Sequence, residues 1–328
     1  MSAKQLEQAA LATKTAFLFP GQGSQKIGML ADLAEQFSGV KATFAEASEA
    51  VGFDLWHIAQ SGEGLNQTEF TQPVLLTASI ALWRIWLELG GIMPKYLAGH
   101  SLGEYSALVA AGAMSLGDAV KLVNLRGKLM QDAVPQGTGA MAAILGFDDE
   151  KVIELCAQVS AAGQGSVEAA NFNAQGQVVI AGAKDAVDAV IALAKENSGK
   201  AIALPVSVPS HCSLMKPAAE QFAEALEQTA IELPRIPVIQ NVNAEIATDV
   251  AQLRQALTAQ LYQSVQWSKT MQFIQDQGVQ YVAECGPGNV LANMAKRLPN
   301  IEKAFPLDST GRLEDALNAI LVAEGKIA

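Results

Sequence analysis

Short apolar runs that end in glycine-rich turns and lead into helices recur along the chain, and this alternation limits the fold more than any other feature. At 15–19 the run TAFLF is followed by PGQGSQ. At 96–99 YLAG runs into HSLG and a helix-like stretch over 102–111, and at 280–285 QYVAEC meets GPG and a helix over 289–298. Strands alternating with helices in this way predict a mainly parallel sheet covered on both faces. The segment 71–90 (TQPVLLTASIALWRIWLELG) reads as one amphipathic helix stopped by Gly90 and Gly91, with Trp83 and Trp86 on its core side. Residues 25–60 read as helical with a break near 38–40. A helix over 115–130 has Ser115 as its N-cap. Beyond the middle of the chain the pattern gives helices over 216–228, 249–262 and 267–277 and a strand near 237–241.

Between the two halves the order changes. A strand over 141–146, a helix over 148–162, strands over 167–173 and 177–182 joined by a tight AQG turn, a helix over 183–198 and a strand over 200–207 make β-α-β-β-α-β. That is the ferredoxin-like order. The expected organisation is therefore an α/β core over 15–137 and 208–328, a ferredoxin-like insert over 138–207, and an extension over 1–14, frayed or docked, with no catalytic part.

Half of the 328 residues are hydrophobic and 17% are charged, which suits a large core and argues against disorder. No run reaches the roughly 18 apolar residues that span a bilayer, and the first residues lack the apolar centre of a signal peptide. The expectation is a cytoplasmic protein that neither crosses nor binds a membrane. Its three cysteines, odd in number and without metal spacing, read as reduced thiols. A formal net charge of −11 argues against a nucleic-acid partner.

Residues 99–103 read Gly-His-Ser-Leu-Gly, a G-x-S-x-G match in a strand–turn–helix context. Small residues flank such a serine because the backbone crowds at the turn. This marks Ser101 as a candidate nucleophile, with the alternative of a plain glycine turn. The N–H of Leu102, at a helix start, is placed to face an oxyanion, and the N–H of Gln22, in the neighbouring PGQG turn, is the candidate second donor. A serine nucleophile needs a base, and the chain has three histidines. His100 adjoins Ser101 and points elsewhere, and His57 sits in a helical stretch as a structural residue. His211 follows a strand at its C-terminal end, where α/β proteins place their sites, and is the candidate general base and acid. No carboxylate announces itself as its orienting partner; a carbonyl can hold the imidazole tautomer instead. Arg126, in the largely apolar helix KLVNLRGKLM, reads from pattern alone as a solvated helix charge. If buried, it would need an anion such as a substrate carboxylate.

These stretches together resemble a known family. FLFPGQGSQKIGML (17–30), TQPVLLTAS (71–79), GHSLGEYSALVAAG (99–112), LVNLRGKLMQDAVPQGTGAMAAILG (122–146), NFNAQGQVVIAG (171–182), LPVSVPSHCSLMKPAA (204–219), QLYQSVQW (260–267) and ECGPGNVL (284–291) are similar, in the same order, to the malonyl-CoA:acyl carrier protein transacylases of bacterial fatty acid synthesis. The resemblance implies an α/β-hydrolase-like core with a ferredoxin-like insert. It implies Ser101 as nucleophile, His211 as base, and Arg126 as the residue that grips the malonyl carboxylate. Gln22 and Leu102 would supply the oxyanion hole, and Gln260 the main-chain carbonyl that orients the histidine. Asn171 and Asn173 would have a supporting place near the cleft. The sequence departs from the family in lacking a Pro in QSVQW and in having Cys285 where an aliphatic residue is common.

The implied reaction is ping-pong transfer of malonyl from malonyl-CoA to the phosphopantetheine thiol of acyl carrier protein, by a monomer with no metal or redox cofactor. An acidic carrier would need basic residues to dock on; Lys121, Lys128, Lys216, Lys296 and Arg297 are candidates by position. The rival readings are a serine hydrolase, a non-catalytic acyl-CoA or carrier-binding module, and an acyltransferase of a polyketide pathway.

Overall fold

The computed structural model describes residues 13–206 and 208–327. The expected extension over 1–14 thus falls almost wholly outside the described residues, as does Ser207, the last residue of a predicted strand. The architecture is mixed α/β, with a five-stranded parallel sheet and a separate four-stranded antiparallel sheet.

The chain enters at β1 (Thr15–Phe19), every residue of which is buried. Helices α1 (Ala31–Gln36), α2 (Ser38–Val51) and α3 (Leu55–Ser61) follow. The predicted break near 38–40 falls at Phe37, whose backbone is extended. A second break comes at Gly52, in the left-handed region (φ 82°), before Asp54 caps α3 through the His57 N–H. Next come α4 (Thr68–Glu88), β2 (Tyr96–Gly99), α5 (Gly103–Ala110) and α6 (Leu116–Asp132). Ser115 caps α6 by accepting from the Asp118 N–H, as its sequence position predicts.

The middle section holds β3 (Gly139–Leu145), α7 (Asp149–Ala161), β4 (Val167–Ala174), β5 (Gln177–Ala183), α8 (Lys184–Glu196) and β6 (Lys200–Ala203). Its sheet has the order β4-β5-β3-β6, antiparallel throughout. The final stretch carries α9 (Lys216–Gln228), β7 (Val238–Ile239), α10 (Val250–Ala259), α11 (Trp267–Asp276), β8 (Tyr281–Glu284), α12 (Val290–Ala295), β9 (Lys303–Pro306) and α13 (Thr310–Ala323). The last two elements lie beyond those the sequence pattern predicts. No described helix is long and apolar enough to cross a membrane.

The parallel sheet runs β7-β2-β1-β8-β9. Alternate residues of its central strands feed different cores. Phe17, Phe19 and Leu97 pack with α4 and α6, and Ala16, Leu18, Tyr96 and Ala98 pack with α11 and α12. Burial on both faces explains why these strands read as unbroken apolar runs. Trp83 and Trp86 meet Phe17 edge-on at centroid distances of 5.5 and 5.0 Å, inside the core as expected. The antiparallel sheet has its own core against α7 and α8, while Met141, Ala170, Val179 and Ala181 on other positions pack around Cys212.

Helices α4 and α6 approach closely for a reason visible in their residues. Pro73 in α4 has no N–H, so the Glu69 carbonyl loses its usual intrahelical donor. Asn124 of α6 supplies one instead, its Nδ2 donating at 2.8 Å. At Gly127 a Cβ would stand 2.6 Å from the Thr68 carbonyl oxygen. Replacing Gly127 by Ala is therefore expected to destabilise the protein by about 1–3 kcal/mol through overpacking, despite alanine's roughly 1 kcal/mol advantage within a helix. Urea denaturation reads the change; unaltered stability would mean that the two helices separate freely.

Candidate active site

Register places the site. In the β1–β2 pairing Phe19 faces Gly99, so the turns that follow these strands lie side by side at the C-terminal edge of the sheet. The contact is tight: a Cβ on Gly21 would stand 2.5 Å from the His100 carbonyl oxygen. Within the second turn Ser101 has φ 52°, a left-handed conformation that is costly for a residue with a side chain. The turn can only form between glycines. A Cβ on Gly99 would come within 1.9 Å of Gly103, and one on Gly103 within 2.0 Å of the Phe19 carbonyl oxygen.

Asn241, just after β7, fastens this turn at both ends. Its Oδ1 accepts from the Ser101 N–H at 2.7 Å and its Nδ2 donates to the Gly99 carbonyl at 2.6 Å. Nothing in the sequence singled it out. Its signal, a buried amide at the end of a short strand, exists only once the sheet is assembled. Asn241→Ala leaves two buried main-chain groups unpaired, at about 1–3 kcal/mol each. The variant is expected to melt earlier and to lose most acylation of Ser101. Full acylation in a destabilised variant would show that the turn holds its shape unaided.

His211 is buried and also has a positive φ, 63°. Its backbone is held by the Leu261 carbonyl, which accepts from the His211 N–H at 3.0 Å. Its ring Nδ1 lies 2.6 Å from the Gln260 main-chain oxygen and its Nε2 lies 2.8 Å from Ser101 Oγ. A carbonyl only accepts, so Nδ1 carries the proton in the neutral ring and Nε2 is left to accept from the serine hydroxyl. Burial, and then the nearby Arg126 charge, push the His211 pKa down to about 3, against the opposing pull of the Gln260 carbonyl. The imidazole is therefore neutral near pH 7 and able to take a proton.

Arg126 does not project into solvent, contrary to the reading from helix pattern alone. It is 1% exposed, because α6 turns this face onto α4 and the serine turn. Its Nη1 donates to Gln72 Oε1 at 2.8 Å. Its Nη2 donates to Gln260 Oε1 at 2.9 Å and to Ser101 Oγ at 3.2 Å. The Tyr105 ring lies 5.4 Å away, and Nε has no hydrogen-bond partner among the described residues. Among the described residues no carboxylate stands within ion-pair reach of this buried cation.

Gln260 ties these parts together. While its main-chain oxygen holds His211 and its Oε1 holds Arg126, its Nε2 donates to the Ser101 carbonyl at 2.9 Å and to Glu104 Oε2 at 2.7 Å. Glu104, in the first turn of α5, also accepts from the Asn241 N–H at 3.2 Å. Burial pushes its carboxyl up to about 7, with those two hydrogen bonds and Arg126 working the other way. Gln72 and Glu104 are further site residues that the motifs did not single out. For Glu104 a signal existed, since an acidic residue in a helix as apolar as EYSALVAA is out of place.

The remaining predicted residues are close by. The N–H groups of Gln22 and Leu102 donate to no partner among the described residues. Asn173 Oδ1 accepts from His100 Nε2 at 2.8 Å, joining the antiparallel sheet to the serine turn. Asn171 forms a bridge with Val265, with Phe172 N–H donating to the Val265 carbonyl and Val265 N–H to that of Ala170, both at 2.9 Å. His57 lies apart on α3, mostly exposed and beside Glu63.

A serine hydroxyl shared between a neutral imidazole and a guanidinium, next to two unpaired N–H groups, can do the chemistry of an acyltransferase that prefers an acidic acyl group. Residues 16–312 match the model of the acyl transferase domain family. The chain is 53% identical over 308 residues to the malonyl CoA-acyl carrier protein transacylase of Salmonella typhimurium, covering 93% of this chain and 99% of that protein. The crystal structure of FabD from Acinetobacter baumannii superposes with a TM-score of 0.95 at 82% identity, covering 95% of this chain and 99% of that one. A malonyl-transacylase solved in complex with a type II PKS acyl-carrier protein is 51% identical with a TM-score of 0.90, over 93% of this chain and 99% of its own. The chain belongs to the malonyl-CoA:acyl carrier protein transacylase family.

Proposed function

We propose that the protein transfers malonyl from malonyl-CoA to the phosphopantetheine thiol of acyl carrier protein through an ester on Ser101, supplying malonyl-carrier for fatty acid synthesis. The observation that carries this reading is Arg126, a buried guanidinium with no carboxylate in ion-pair reach among the described residues, 3.2 Å from the serine oxygen. A substrate carboxylate two bonds from the reacting carbonyl would complete it with parallel hydrogen bonds.

In this mechanism His211 Nε2 takes the Ser101 proton as Oγ attacks the thioester. The Gln22 and Leu102 N–H groups receive the oxyanion. The C–S bond breaks, coenzyme A leaves with the proton, and a malonyl ester remains. The carrier's thiol then attacks that ester, with His211 again as base. Gln260 keeps the imidazole in its working tautomer, and Asn171 and Asn173 support the wall of the cleft from the insert. The chemistry calls for no metal or redox cofactor.

The strand orders support reading the core, 15–137 and 208–328, as α/β-hydrolase-like and the section 138–207 as a ferredoxin-like insert. We place the enzyme in the cytoplasm as a monomer, in keeping with its three buried free cysteines. Lys121, Lys128, Lys216, Lys296 and Arg297 are all exposed and available to an acidic carrier.

Mixing the protein with malonyl-CoA, quenching in acid and mapping peptides by mass spectrometry tests the reading. A malonyl ester on Ser101, absent from Ser101→Ala and discharged by holo-carrier protein, is expected. Rapid release of free malonate without transfer would identify a thioesterase instead.

A further inference from the structure

Ser101 Oγ has two neighbours that pull against each other. It donates to His211 Nε2 at 2.8 Å, which prepares it to attack, and it accepts from Arg126 Nη2 at 3.2 Å, which ties up the electron pair that would attack. The guanidinium also opposes the imidazolium that must form when His211 takes the proton. The other groups acting on these two residues do not cancel that charge. His100 is occupied with Asn173, the Gln260 carbonyl is neutral, and Tyr105 and Glu104 reach Arg126 without an ion pair. As it stands, the site holds its own nucleophile back.

We propose that the substrate carboxylate switches the nucleophile on as well as anchoring the acyl group: by drawing the Arg126 N–H groups to itself it frees Ser101 Oγ and neutralises the cation beside His211. This rests on the malonyl reading given above and extends it from binding to rate. The covalent step is unchanged. The Oγ proton passes to His211 Nε2, the Oγ–C bond forms, the C–S bond breaks, and the proton leaves with coenzyme A; the carboxylate–guanidinium pair persists throughout. An acetyl thioester, without the carboxylate, meets Ser101 with Arg126 still attached. Discrimination therefore falls on the acylation rate constant and not on binding alone, as expected for interactions realised most fully in the transition state.

The test delivers the carboxylate separately. Cutting the bond between the malonyl methylene and its carboxylate, and capping with hydrogen, gives an acetyl thioester and formate. Acetylation of Ser101 by acetyl-CoA is followed by quenching and intact-mass measurement as sodium formate is raised, with sodium chloride holding ionic strength constant. Malonyl-CoA is run in parallel. Formate is expected to accelerate acetylation on the order of tenfold, as one pKa unit in the base would. The effect should saturate and be absent from Arg126→Ala, with folding of the variant checked by circular dichroism. Formate that leaves acetylation unchanged, or slows it, while malonyl-CoA still loads Ser101 would overturn the inference and leave the proposed function standing. An equal acceleration in Arg126→Ala would overturn it too. The wild-type formate titration decides the matter even if that variant does not fold. Failure of malonyl-CoA to load Ser101 would remove the functional reading and this inference together.

Discussion

His211→Ala is expected to slow malonylation of Ser101 roughly 10⁴-fold, the scale on which a general base and its nucleophile act as one unit. Rapid-quench measurement of the ester gives the rate, and thermal unfolding separates lost chemistry from lost structure. Among the described residues no second group stands ready to take over: the other ring within the site, His100, donates its Nε2 proton to Asn173. A loss of tenfold or less would mean that the serine reacts without His211. The same residue sets the pH behaviour. With its pKa held down to about 3 by burial and Arg126, the free enzyme keeps a neutral base through the range in which an ordinary histidine, near 6.5, would titrate. The His211 limb of the kcat/KM profile is therefore expected far below pH 6.5. Stability moves in step. The folded state resists protonation that the unfolded chain accepts, so this histidine's contribution is whole above pH 6.5 and is lost as pH falls from there toward 3.

Arg126→Ala is expected to lower kcat/KM for malonyl transfer about 10- to 100-fold, the worth of a charge-assisted hydrogen-bonded pair of about 1.5–3 kcal/mol. Acetyl transfer should hold or rise, since no group on acetyl reaches the guanidinium and its removal frees Ser101 Oγ. The two rates measured side by side on one preparation give the ratio directly. Equal losses would mean that Arg126 only shapes the cleft, through Gln72 and Gln260. Arg126→Lys should recover little, because an ammonium cannot reproduce two parallel N–H donors while also holding both amides.

The parts of the site that could be read from the chain are those whose chemistry is local. Ser101 is flanked by the glycines its turn requires, and the turn lies where a strand meets a helix. Ser115 and the tight turn at Gly176 are equally local, and the structure has them as the sequence predicts. Arg126 shows the limit. Its neighbours within α6 describe an ordinary amphipathic helix, and only packing on α4 and the serine turn takes it out of water. Gln72, Glu104 and Asn241 were missed for the same reason, since they act through partners up to 156 residues away. The parallel sheet was legible because both faces are buried. The strand Lys303–Pro306 was not, being a four-residue edge strand with little apolar pattern.

The fastening of the serine turn has a consequence for the protein's synthesis. Asn241 and Gln260, which hold Ser101 by its N–H and carbonyl, lie 140 and 159 residues further along the chain, and His211 lies 110 residues further. As the ribosome extends the polypeptide from its N-terminus, the serine emerges long before its proposed base and its two supports. On the proposed mechanism a nascent chain carries an ordinary hydroxyl at Ser101, and its reactivity arrives only with the last third of the molecule. Acylation by that mechanism reports on completed folding, and truncated chains are expected not to sequester malonyl groups that they have no means to pass on.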